Sequence, residues 1–404
     1  MAVHLEVWAI ALAIEPTGIP RLQLIAERFS TLAIVFASLN LVLSTRAGFL
    51  ERWLHGLDRL FVTHRTIGLS VAGLITTHFL LVPKSVGFVW SKPTGYTALA
   101  LILMAVFIAS APRFPWRALV PLKYQTWKSS HRLMGVLVAL AVTHSLLGHT
   151  YVKTTPLLVV YVYGIAALGL TAWLYREFGF RYLGPFRTYK VGTSRVLDAD
   201  VTEVTLVSTA NARARIAGQF AFVSFADGPS REQHPFTISS GSRSDIRFSI
   251  KASGDYTKAL LSGMPVGSAA KVEGPYGAFD YRQGRRRQLW LAGGIGITPF
   301  LSMAEDLDAQ THVLLVWSVH DEQEAVYREE LTRLCGEKPN LGVIVHPTSE
   351  RGHLDIATLE FDLESDDYSV FICGPVPMRR ALIQQLGSLG VARSEIHFEE
   401  FRLR

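Results

Sequence analysis

Two stretches of this sequence begin and end on histidine: "HRTIGLSVAGLITTH", residues 64–78, and "HRLMGVLVALAVTH", residues 131–144. Between the imidazoles nearly every residue is apolar or small, so groups that are costly in lipid sit in segments otherwise suited to it. At a helical rise of about 1.5 Å per residue, His64 and His78 are about 21 Å apart, and His131 and His144 about 19.5 Å. If the two helices run in the same direction, His64 faces His131 at one level and His78 faces His144 at the other. Two imidazoles from facing helices are what a bis-histidine haem requires, and helix bundles build such sites from facing side chains. The pattern predicts two b-type haems with these four histidines as iron ligands.

A single histidine at a helix end is commonly an interfacial residue, but two pairs matched in height are not explained that way. The angular fit is imperfect. At about 100° per residue, 14 residues return to within about 40° of the same face, whereas 13 miss it by about 140°. The helix carrying His131 and His144 is therefore expected to be distorted, or its imidazoles to approach from different sides. His149 shares the face of His131 but lies about 27 Å from it, which fits the height badly.

The elements that hold these residues follow from composition. The chain has 404 residues, 49% hydrophobic and 18% charged, with a formal net charge of +6. Soluble domains carry about 25% charged residues. Between Leu32 and Tyr175 ionisable residues fall mostly in short clusters; from Arg176 onward they occur at ordinary soluble density. Five segments are adequate membrane spans: Phe29–Ser44, Ile67–Val82, Tyr96–Ala111, Leu133–Leu147 and Pro156–Tyr175. A sixth, Val3–Ile14, is short. The connections 45–63 and 112–130 hold Arg46, Arg52, Arg59, Arg113, Arg117, Lys123 and Lys128. The alternate connections hold Arg21, Lys84, Lys92 and Lys153. This bias puts the first set, both termini and the soluble half on the cytoplasmic side of a multi-pass plasma-membrane protein. Glu6 inside the first apolar run argues against a cleavable signal peptide. The basic surplus lies largely beside apolar segments, which points to the bilayer and not to nucleic acid. Cys335 and Cys373, the only cysteines, make neither a disulfide framework nor a zinc site.

From Tyr182 the texture becomes alternation and turns. "RTYKVGTSRVL", "DVTEVTLVST", "GQFAFVSF" and "IRFSIKA" read as strands of a small antiparallel barrel. Among them stand "HPFTIS" (234–239), "SGDYTKAL" (253–260) and "EGPYGAF" (273–279). Past the basic "RQGRRRQ", "LWLAGGIGITPFLSMAEDL" (289–307) reads as strand, glycine-rich turn and helix start, a geometry suited to a pyrophosphate. "HVLLVW", "LGVIVHP" and "YSVFICGP" read as buried strands of an open α/β sheet whose ends face a ligand crevice.

Residues 182–404 resemble the ferredoxin–NADP reductase fold, and the whole chain resembles the NADPH oxidase and ferric reductase superfamily. "HPFT", "GDYT", "GPYG", "GGIGITPF" and "CGP" follow that family's motifs in its order, and the histidine spacings match its haem helices. The resemblance implies a six-helix transmembrane haem bundle over residues 1–177, an antiparallel FAD-binding β-barrel over 182–284 and an α/β NAD(P)H-binding domain over 285–404. It implies that His234, Pro235, Phe236 and Thr237 contact FAD, with Gly254, Tyr256 and Thr257 near its phosphates. Gly293, Gly294, Gly296 and Thr298 would cradle the nicotinamide dinucleotide, with Cys373, Gly374 and Pro375 near the nicotinamide and Phe401 over the isoalloxazine. Cys373 and Phe401 are also readable as plain core residues. Where the family's eukaryotic oxidases place an arginine for the 2′-phosphate, "WSVHDE" offers His320. Asp321 and Glu322 oppose that phosphate while Arg351 favours it, so the expectation leans to NADPH, with NADH as the alternative.

The expected activity is electron transfer from cytoplasmic NAD(P)H through FAD and two haems to dioxygen, giving superoxide. A ferric or cupric reductase, or an electron-delivery subunit for a partner protein, would use the same relay. No calcium-binding loop pattern occurs, and no obligate regulatory subunit is expected.

Overall fold

The computed structural model describes residues 1–404 except 16, 55, 84–88, 111–123, 209–214, 227–231, 241–244, 360, 362–366 and 400–404. Lys84, Arg113, Arg117, Lys123 and Phe401 of the sequence reading lie outside the described residues. The chain divides into two compact units, Met1–Leu50 with Arg59–Gly184, and Glu51–Asp58 with Pro185–Arg404.

The first unit is helical. Its elements are α1 (Ala2–Ile14), α2 (Arg21–Leu43), α3 (Gly48–Trp53), α4 (Leu57–Leu81), α5 (Ser91–Ser110), α6 (Tyr124–His131), α7 (Met134–Leu147), α8 (Tyr151–Thr154), α9 (Pro156–Leu174) and α10 (Phe180–Leu183). Among the described residues, four helical stretches are long and apolar enough to cross a membrane: Arg21–Leu43, Ser91–Ser110, Trp127–Leu147 and Pro156–Gly179. At 13 residues α1 spans only about 20 Å, short of a hydrocarbon core.

The expected span Ile67–Val82 falls on α4 and the residue after it; α4 is 25 residues long and more polar than the four apolar helices. The polar residues responsible are mostly self-satisfied. Thr66, Ser70, Thr76 and Thr77 each donate to the carbonyl one turn back, at 2.8–3.0 Å. Such back-bonding lets hydroxyls sit on an apolar helix without a partner. The expected distortion of the other histidine helix is present: α6 ends at His131, a turn follows at Arg132–Leu133, and α7 begins at Met134.

Small residues set the closest helix approaches. A Cβ on Gly135 would lie 2.0 Å from the Trp173 ring, and one on Gly169 would lie 2.6 Å from the backbone oxygen of Ser38. Buried Glu27 on α2 accepts from the Tyr151 amide at 2.9 Å and from Gln23 Nε2 at 3.0 Å, tying α8 to α2.

The second unit holds β1 (Phe186–Asp198), β2 (Val201–Ser208), β3 (Phe220–Phe225), β4 (His234–Thr237), β5 (Asp245–Lys251) and β6 (Ala269–Tyr276), with the short α11 (Asp255–Ala259) after β5. These strands form one antiparallel sheet in the order β4-β3-β6-β1-β2-β5, and an Ile238–Phe248 bridge brings its two edges together. Tyr189, Val204, Leu206, Val223 and Phe248 fill its interior.

Next come β7 (Arg287–Gly293), α12 (Thr298–Asp306), β8 (His312–Val319), α13 (Arg328–Glu337), β9 (Leu341–Pro347), α14 (Thr348–Arg351), β10 (Tyr368–Cys373), α15 (Val376–Ser388) and β11 (Ile396–Phe398). The sheet is parallel in the order β11-β10-β7-β8-β9. All six residues of β10 are buried, the continuous apolar reading of a strand covered on both faces. The order reverses between β7 and β10, and a ligand crevice belongs at that switch point.

Sheet and α/β layer are joined by a charged cluster. Arg247 of β5 grips Glu330 of α13 bidentately at 2.7 and 2.8 Å, and also donates to the Ser239 carbonyl at 2.6 Å. Tyr327 donates to buried Glu203 at 3.2 Å and shares a 2.5 Å hydrogen bond with Ser249. Bidentate arginine–carboxylate pairs carry orientation as well as energy. Replacing Arg247 with Met leaves Glu330 without this cation, while Glu203 keeps Arg195 at 2.5 Å. We expect Arg247→Met to destabilise this unit by about 3 kcal/mol, read as flavin release at lower temperature from the full-length protein, with Glu330→Gln costing less.

Candidate functional site

Three elements, α4, α6 and α7, bring the sequence-predicted histidines into two pairs. The His64 and His131 ring centroids are 5.9 Å apart, and those of His78 and His144 are 6.4 Å apart. Metal–nitrogen bonds of about 2 Å on either side of one ion put two imidazole centroids roughly 6 Å apart, so both pairs fit a shared iron. At the second pair the outer nitrogens are already engaged: His78 Nδ1 donates to the Ala26 carbonyl at 2.9 Å, and His144 Nδ1 to the Ser91 carbonyl at 2.7 Å. That fixes the tautomer that leaves Nε2 as the lone-pair nitrogen. At the first pair both Nδ1 atoms are buried without a hydrogen-bond partner, and His131 stacks on Trp127 at 5.4 Å and 8°. Among the described residues no group of three or more His, Cys, Asp and Glu is arranged for a metal ion. Pairs of imidazoles on a porphyrin iron do not need one.

The barrel gathers the residues expected at the flavin. His234 opens edge strand β4, stacks on Tyr256 at 3.8 Å and 18°, and lies 3.3 Å from Glu232. Pro235 and Phe236 follow on β4, paired with Phe222 and Ala221 of β3. The hydroxyls of Thr237 and Tyr256 are buried without partners, and such orphaned groups fit a ligand with hydrogen-bonding edges. Burial, aided by Glu232, pushes the Tyr256 phenol up to about 12. Thr257 turns its hydroxyl back to accept from the amides of Ser253 and Gly254 at 2.9 and 3.0 Å. A Cβ on Gly254 would meet nothing within 4 Å, so the space beside it is open.

At the nucleotide end the glycines split into two roles. Gly294 has φ +53° and open space around it, which suits a turn approached closely by a ligand. Its carbonyl accepts from Trp317 Nε1 at 2.9 Å. Gly293 and Gly296 instead let the turn press on the end of β10. A Cβ on Gly296 would lie 2.3 Å from the Cys373 carbonyl oxygen, and one on Gly293 would lie 2.9 Å from Pro375 Cδ. Gly374 is packed likewise on the Gly293 backbone at 3.1 Å. Thr298 closes the turn by donating its hydroxyl to the Ile295 carbonyl at 3.0 Å; its amide bonds the same carbonyl, and α12 starts there with Pro299 in its first turn. Burial holds the Cys373 thiol well up, as it does more mildly at Cys335, so both stay protonated. The exposed His320 carbonyl accepts from the Ser349 amide at 2.9 Å, which brings α14, with Arg351, beside the end of β8.

Sequence reasoning missed the carbonyls of Ala26 and Ser91, Trp127, and the Arg247–Glu330 joint. None of these has a motif: the carbonyls are backbone, and the rest depends on tertiary packing.

Comparison with known proteins accounts for most of the second unit. Residues 187–280 match the family described as FAD-binding domain, and residues 290–384 match the oxidoreductase NAD-binding domain. The second unit is a ferredoxin–NADP reductase-like module. The carnitine monooxygenase reductase subunit of Escherichia coli is 27% identical over 235 residues, 55% of this chain and 71% of that protein. The glycine betaine monooxygenase reductase subunit of Chromohalobacter salexigens is 30% identical over 207 residues, 46% of this chain and 55% of that protein. A flavohemoglobin structure from Malassezia yamatoensis shares the fold with a TM-score of 0.52 at 19% identity, covering 98% of each chain. The module performs NAD(P)H-dependent electron transfer through a flavin.

Two outcomes follow for the module. Gly296→Ala drives a Cβ into backbone that cannot yield, and nucleotide affinity should fall about tenfold or more, equivalent to at least about 1.4 kcal/mol. This is measured as flavin reduction against NADPH concentration. Tyr256 keeps its proton more tightly folded than unfolded, so its contribution to stability is unchanged below about pH 10 and is lost between about pH 10 and 12. In denaturation curves against pH, Tyr256→Phe should remove that component.

Proposed function

We propose that this chain is a transmembrane NAD(P)H oxidase, passing electrons from cytoplasmic NAD(P)H through FAD and two b-type haems to dioxygen on the outer side, with superoxide as product. The observation that carries this reading is the pair of level imidazole couples, 5.9 and 6.4 Å between centroids, in one chain with a flavin–nucleotide module. The four long apolar helices support a plasma-membrane location. So do exposed aromatic residues where spans meet connections: Phe49 and Trp53 in α3, Trp90 and Tyr96 around the start of α5, Phe178 and Tyr182 after α9.

When bound, FAD supplies the conversion of a two-electron hydride into single electrons, and haem iron supplies their carriage across the apolar layer. The chain's own residues bind, orient and exclude. Gly294, open to the crevice at the head of the glycine-rich turn, would meet the pyrophosphate, while the close-packed Gly293, Gly296 and Gly374 fix the crevice wall near the nicotinamide. Pro375 would line that wall, while the Cys373 thiol lies fully buried in the core behind it and stays protonated. His234, Phe236, Thr237 and Tyr256 would meet the flavin. The Ala26 and Ser91 carbonyls keep the Nδ1 protons of His78 and His144 in place. Asp321 and Arg351 pull nucleotide preference in opposite directions, so either nicotinamide dinucleotide is a substrate under this reading.

A second reading has one observation of its own. The named relatives are reductase subunits of oxygenases, which favours delivery of electrons to a partner protein.

The test is oxygen consumption and superoxide formation by the purified full-length protein with FAD and haem, given NADPH and then NADH. The haem spectrum is followed in the same sample. The expected result is haem reduction with dismutase-sensitive turnover, abolished in His78→Ala and His144→Ala. Haems that reduce without passing electrons to oxygen would move the acceptor to a metal ion or a partner protein. Absence of haem would end the four-histidine reading.

A further inference from the structure

We propose that Gly95 is the positioning residue for the outer iron ligand His144, through a notch cut into the first turn of α5. This inference rests on the reading of His78 and His144 as a haem pair. Ser91 and Gly95 are one helical turn apart on α5 and so share a face. The Ser91 carbonyl accepts from His144 Nδ1 at 2.7 Å, and the imidazole lies over the Cα of Gly95. A Cβ at position 95 would sit 2.6 Å from Cε1, 2.8 Å from Nδ1 and 3.3 Å from Nε2 of that ring. Three of the five ring atoms, including the nitrogen left for iron, therefore depend on the missing side chain. The ring is not the free end of a flexible chain here, because its Nδ1 is anchored and its Nε2 has a task.

The notch belongs to the outer pair. His78, the partner ligand, is anchored to the Ala26 carbonyl of α2. At the inner pair the Nδ1 atoms carry no hydrogen bond, and His131 is braced instead by the flat face of Trp127. A substitution at Gly95 should thus strike one haem and spare the other. Alanine, whose methyl group displaces the ring by a fraction of an ångström, should keep both haems but weaken the Ser91 hydrogen bond. Valine should expel the imidazole.

The experiment uses the full-length protein in detergent, comparing wild type, Gly95→Ala, Gly95→Val and Gly164→Ala. Gly164 is an exposed glycine of α9 whose Cβ would meet nothing within 4 Å, so its variant reports any generic cost of a helix glycine substitution. Haem per flavin is measured by pyridine haemochrome, and the ligand field by low-temperature electron paramagnetic resonance. The expected result is loss of about half the haem in Gly95→Val, an altered signal from one haem of two in Gly95→Ala, and no change in Gly164→Ala. Wild-type haem content and resonance in Gly95→Val would overturn the proposal. So would equal loss of both haems in Gly95→Ala and Gly95→Val, since that reports disruption of the whole helical unit. A wild-type protein that binds no haem would instead defeat the reading beneath it, and this inference with it.

Discussion

An imidazole between apolar helices must dispose of a proton, and the helical unit is arranged around that constraint. Water is scarce in such a place and an unpartnered N–H is costly. Backbone carbonyls are the only acceptors that a purely apolar helix can offer, and they are normally spent on the helix itself. The Ser91 and Ala26 carbonyls each take on a second bond, to His144 and to His78. A carbonyl has two lone pairs, so this is feasible where a side chain can reach the backbone closely. Reaching it needs a gap on the neighbouring helix, which Gly95 leaves on α5 beneath His144.

Much of this was legible from residue spacing. Separations of 14 and 13 residues gave both the matched heights and the mismatch in angle. The turn at Arg132–Leu133 is the place where the chain absorbs that mismatch. The strands of the second unit were legible because alternation marks a half-buried antiparallel strand, and unbroken apolar runs mark a parallel one. Ile67–Val82 carries hydroxyls and histidines among its aliphatic residues, and these make α4 more polar than the four apolar helices. The strand Ile396–Phe398 carried no signal: three residues are too few for a period, and only pairing beside β10 defines it. Glu203, Tyr327, Arg247 and Glu330 come from four separate segments, and nothing local marks them as one cluster.

The module shows the same dependence on close approach. Its glycine-rich turn looks in sequence like one device, but the structure separates it into a left-handed residue exposed to the crevice, Gly294, and residues shut against β10, Gly293 and Gly296. Mutations across one motif therefore act by different means, one on the ligand and others on the seam between two strands. The Arg247–Glu330 joint plays a comparable part between the barrel and the parallel sheet, where it fixes orientation through two parallel hydrogen bonds.

The state of the two thiols has a consequence for survival. Peroxides and related oxidants attack thiolates, and protonated buried thiols react slowly. Burial holds both Cys335 and Cys373 in the protonated form, and the chain has no third cysteine. Under the proposed function, a protein that handed electrons one at a time to oxygen would thereby be poorly supplied with targets for its own by-products. Under that reading oxidative inactivation would run chiefly through methionine or haem, and only slowly through sulfenic acid at the nucleotide crevice.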